Sequence, residues 1–61
     1  MSKEEFAELL RAKGYHVQIV KGIVTIYGIS KRVSRIVDGI AKSVGYHGKF
    51  TWEEGDPSGQ T

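Results

Sequence analysis

The sequence predicts an α+β domain, a two-layer α-β-β-α-β sandwich in which a three-stranded sheet carries both helices on one face. Three observations lead there. Residues 15–27 are rich in Val, Ile, Thr and Tyr around a central Lys21-Gly22 pair, which is hairpin chemistry. Two flanking segments repeat their apolar residues at helical spacing instead. A last short segment, Lys49 to Glu54, returns to alternation.

The first helix is expected over residues 3–13. Ser2 followed by Glu5 has the capping-box spacing, in which hydroxyl and carboxylate each satisfy a free backbone donor at a helix start. Phe6, Leu9 and Leu10 form the apolar stripe, and Gly14 stands where a left-handed residue ends a helix.

The hairpin follows. With Lys21 and Gly22 as the loop, Val20 faces Ile23, Ile19 faces Val24, Gln18 faces Thr25, Val17 faces Ile26 and His16 faces Tyr27. This alignment places Val17, Ile19, Val24 and Ile26 on one face, all aliphatic, and His16, Gln18, Val20, Ile23, Thr25 and Tyr27 on the other. The aliphatic face is the core side, and a one-residue slip would exchange the two sets, so the pattern specifies its own register.

Gly28 ends the second strand and Ser30 caps a second helix with an apolar row of Val33, Ile36, Val37, Ile40, Ala41 and Val44, closed by Gly45. Gly39 inside it implies either close approach to a neighbour or simple tolerance. In the last strand Phe50 and Trp52 share the core face, with Lys49, Thr51 and Glu53 opposite. A crossover helix makes this strand parallel to the second, either beside it or on the far side of the first. Residues 1–54 form the compact domain, and 55–61, with no large apolar residue, form a disordered C-terminal tail.

At 61 residues there is room for one core of marginal stability. The absence of cysteine removes disulfides, thiolate metal sites and a thiol nucleophile. The start of the chain has no signal-peptide pattern and no apolar run reaches membrane-spanning length, so a cytoplasmic location is expected and membrane contact is not. Residues 1–52 hold all nine Lys and Arg against Glu4, Glu5, Glu8 and Asp38, a net charge of +5, while Glu53, Glu54 and Asp56 make the end acidic. Such a bias favours phosphate-bearing partners.

The run Gly22-Ile23-Val24-Thr25-Ile26-Tyr27-Gly28, the helix with Ile40-Ala41 and Val44-Gly45, and the closing strand resemble a BON domain over residues 15–52. The resemblance implies the same α/β arrangement and a phospholipid-binding role.

Candidate sites follow from the exposed residues. Ser30, Lys31, Arg32 and Arg35, with support from Lys42, place cations at a helix start whose free N–H groups already carry partial positive charge. A bound polyanion, nucleic acid above all, would gain both the amides and the side-chain charge. Val20, Ile23 and Tyr27 form a second candidate, a patch for a protein partner or a homodimer, which a free sheet edge would supplement. His16, Gln18, Thr25, Tyr27, Lys49 and Thr51 make the open face a polar platform on which a base could stack.

No enzyme is expected. His16 and His47 belong to no triad or metal-ligand spacing, and Glu4-Glu5 and Glu53-Glu54 suit a helix start and a strand end better than an acid/base pair. No cofactor or metal is implied. Gly45-Tyr46-His47-Gly48 has the spacing of a KH loop, but a strand follows it where that motif needs a helix.

Overall fold

A computed structural model describes residues 1–55 of the chain. Helix α1 spans Lys3–Ala12, strand β1 His16–Val20, strand β2 Ile23–Tyr27, helix α2 Lys31–Ser43 and strand β3 Phe50–Glu53. The sheet order is β1-β2-β3, so the crossover brings β3 in beside β2, parallel to it. The expected sandwich is the fold observed. The expected tail falls largely on 56–61, outside the described residues.

Helix α1 begins with the capping box. The Ser2 hydroxyl accepts from the Glu5 N–H at 3.1 Å, and the Glu5 carboxylate accepts from the Ser2 N–H at 2.9 Å. Phe6, Ala7 and Leu10 are fully buried. The helix ends one residue before the expected boundary, because Lys13 is its C-cap.

Both helices end in one way. Gly14, at φ 98°, donates to the Arg11 carbonyl while Tyr15 donates to Leu10; Gly45, at φ 74°, donates to Lys42 while Tyr46 donates to Ala41. This is the Schellman pattern, in which a left-handed glycine turns the chain and an apolar residue follows it back onto the helix.

The hairpin has the register its alternation dictates, residue for residue. Lys21 at φ 52° and Gly22 at φ 80° give the two-residue turn positive φ at both positions, the twist that matches right-handed strands. Val17, Val24 and Ile26 are buried, and Ile19 is half-buried because β1 lies at an edge.

Ser30 caps α2, its hydroxyl accepting from the Val33 N–H at 3.3 Å. Val37 and Ala41 are buried, and Val33, Ile40 and Val44 pack against the core from its margin. Ile36 departs from the expected row, at 54% exposure. One residue step of about 100° carries it off the row of Val37. The buried face has shifted toward Ser34, whose hydroxyl donates to the Lys31 carbonyl at 2.6 Å and so is satisfied in the interior.

Thr25 is a second correction. Expected on the open polar face, it is 4% exposed, because its strand is central and Gln18 and Thr51 flank it from both sides. Phe50 and Trp52 are half-buried and pack against the core as expected. Two core residues lie outside the periodic segments: Ile29, and Tyr46, which stacks on Phe6 with ring centroids 4.3 Å apart.

Candidate functional site

The start of α2 differs from that of α1 in charge. Helix α1 carries Glu4 and Glu5 in its first turn, where acids complement the free amides. The first turn of α2 holds no acid, and Lys31 and Arg32 stand there in water with Arg35 a turn further on. Ser30 takes up one amide through Val33, so the side-chain charge at this end is offset by no acid of the first turn.

Helical geometry sorts the cations further. Lys31, Arg35 and Lys42 share the side of α2 opposite Val37, and Arg32 lies on the neighbouring row. Lys42 is eleven residues beyond Lys31, about 16 Å along the axis. It is paired with Asp38 at 3.3 Å, with both side chains more than half exposed. The five residues named from the sequence therefore divide. Ser30, Lys31, Arg32 and Arg35 form one cluster at the helix start, and Lys42 stands apart beside Asp38. The three clustered cations can donate to phosphate or carboxylate oxygens, the two guanidinium groups in a bidentate fork.

The open sheet face carries the second candidate. Val20 and Ile23 are directly paired and exposed to 39% and 41%, so they form a continuous apolar step at the hairpin tip. Tyr27 is only half-exposed, tilted 58° against the His16 ring with centroids 5.5 Å apart, and sits at the other end of the strand. His16 also meets the Gln18 amide at 3.3 Å. With Thr25 buried, this face offers one partly covered aromatic ring rather than a stacking platform.

One feature is visible only in three dimensions. An open groove of about 670 Å³ runs between the start of α1, the hairpin turn and the loop before β3, bordered by Lys3, Glu4, Ile23, Tyr46, His47 and Lys49. Its walls come from three separate stretches of sequence, so no local pattern announces it. Glu5, beside it, is held below the ordinary glutamate value of 4.5 by the hydrogen bond from the Ser2 N–H and then by that with the Ser2 hydroxyl.

Among the described residues, no three His, Asp or Glu side chains converge to hold a metal ion. None of the described helices is long and apolar enough to cross a membrane. No protein-family model, curated protein or solved structure gives a match to this chain. The BON resemblance thus rests on the sequence pattern alone.

Proposed function

We propose that the chain is a small non-catalytic binding module that engages a polyanion, nucleic acid in the first place, through Lys31, Arg32 and Arg35 at the start of α2. The observation that carries this reading is the charge of that helix end: two exposed cations and no acid in a first turn, where the amides themselves favour an anion. A phosphate backbone would answer the amides and the cations together. The net charge of +5 over residues 1–52, from nine cations against four acids, would draw such a partner in at long range.

The test is an amide NMR titration with a short duplex and a single strand at low salt. Shifts should concentrate at residues 30–35. If all three cations meet phosphates, the logarithm of the binding constant for duplex should fall against the logarithm of salt with a slope of about −2.7. Saturating duplex with no shifts at 30–35 would discard the reading.

A further inference from the structure

The two edges of the sheet are finished differently. On β1 the carbonyl of Val17 faces away from β2, and the Arg11 guanidinium closes it, with Nε at 3.0 Å and a terminal nitrogen at 2.8 Å. Such a charged cover hinders a second chain from pairing there. On β3, no hydrogen bond from a described side chain covers the outer edge.

Which groups β3 presents outward follows from its ladder. The Glu53 carbonyl accepts from the Ile29 N–H at 3.2 Å, so it points inward. Backbone direction alternates along a strand, so Thr51 also turns inward, while the N–H and C=O of Phe50 and Trp52 point out.

We propose that this edge is a self-recognition surface, and that its occupant is a second copy of the chain, added antiparallel about a two-fold axis at Thr51. In that register Phe50 and Trp52 of one copy exchange both backbone hydrogen bonds with Trp52 and Phe50 of the other, so every outward group is paired. Thr51 meets Thr51, and Lys49 meets Glu53 of the second copy, twice by symmetry. Lys49, Thr51 and Glu53 are all exposed, and these facing positions are the close, non-hydrogen-bonded pairs where opposite charge favours association. On the helix side Phe50 faces Trp52 of the second copy, so two half-buried aromatic pairs close over the seam.

The strand is self-complementary in charge only in this alignment. A shift by two positions in one direction sets Trp52 against Trp52 and Glu53 against Thr51; in the other it sets Phe50 against Phe50 and Lys49 against Thr51. Both leave the charges unmatched. The product is a six-stranded sheet with all four helices on one face. With a four-residue strand at its centre, the contact is small, and a reversible dimer is expected rather than an obligate one.

The test is sedimentation equilibrium of the full chain up to millimolar concentration, with exposed charge variants that leave the monomer's own ladder intact. K49E and E53K should each weaken the dimer by about tenfold or more, since each sets like charges opposite one another twice. The double variant K49E/E53K should restore it. An equimolar mixture of K49E and E53K should form a heterodimer, and T51E should be monomeric. A wild-type chain that stays monomeric throughout, or a dimer indifferent to all of these changes, would overturn the proposal. None of the altered residues belongs to the cluster on α2, so polyanion binding and dimerisation fail independently.

Discussion

Tyr46 lies flat on Phe6, its ring plane only 11° from parallel, and its hydroxyl donates to the Lys49 carbonyl at 3.3 Å. A loop residue thereby closes the core near the start of α1 and ties down the segment leading into β3. The ring passes directly over Gly48. A Cβ there would stand 2.6 Å from the Tyr46 Cζ and against the hydroxyl itself. Because the ring is stacked on Phe6, it cannot move aside without loosening that contact. Gly48→Ala should therefore destabilise the fold by about 1–3 kcal/mol, the usual cost of overpacking, seen as a lower urea midpoint at unchanged slope.

Gly39 is the opposite case. It sits inside α2 at a helical backbone position, and a Cβ there meets nothing within 4 Å. Of the two explanations open from the sequence, close approach is excluded and tolerance remains. Gly39→Ala should stabilise the chain by about 1 kcal/mol by removing backbone freedom from the unfolded state. For a domain of this size that raises the thermal midpoint by about 4–8 °C, and calorimetry would read it directly.

The contrast between these glycines shows what the sequence could carry. Alternation over two five-residue strands, with a turn that accepts positive φ, leaves one register that buries Val17, Val24 and Ile26, so the hairpin is legible without three-dimensional information. Ile36 lies off the expected row because a 3.6-residue period does not say where the centre of the buried face lies, and the polar Ser34 conceals the shift. Thr25 is buried where its alternation predicts exposure because burial of a polar residue depends on strand order, and spacing alone allows β3 on either side. Tyr46 did have a signal, an aromatic residue directly after a helix-ending glycine, repeated at Gly14-Tyr15. The clustered cations were visible in the sequence, and the i,i+4 spacing of Asp38 and Lys42 on α2 is likewise local, but the groove beside α1 and the edge chemistry of β3 depend on tertiary placement.

The capping box makes a pH prediction of definite sign. Glu5 in the folded chain binds its proton less readily than an ordinary glutamate, because the ionised carboxylate accepts the Ser2 N–H. Its stabilising share is present above the unfolded value and is lost as pH falls through the lowered folded value. Carbon-detected titration of the Glu5 carboxyl should give a midpoint below 4.5. Ser2→Ala should move that midpoint back up, and Glu5→Gln should flatten the acid side of the stability profile. An unshifted midpoint in the wild-type chain would show that the reciprocal bond does not persist in water.

Arg11 ties α1 to β1, and its two contacts can be separated. One terminal nitrogen pairs with Glu8 at 2.8 Å, while Nε and the other terminal nitrogen hold the Val17 carbonyl. The Glu8 side chain is 72% exposed, and exposed pairs one helical turn apart contribute little. Glu8→Gln should therefore change stability by less than about 0.5 kcal/mol. Arg11→Met keeps much of the apolar stem but uncovers the carbonyl of an edge strand, and should cost about 1 kcal/mol. Arg11→Lys should not recover it, because an ammonium cannot present two parallel donors to one oxygen. Amide exchange at Gln18, whose N–H belongs to the same peptide unit as the Val17 carbonyl and faces Thr25 across the hairpin, should quicken in Arg11→Met and stay unchanged in Glu8→Gln. If both variants behave alike, the guanidinium matters only through its ion pair, and the carbonyl contact contributes nothing to closing this edge of the sheet.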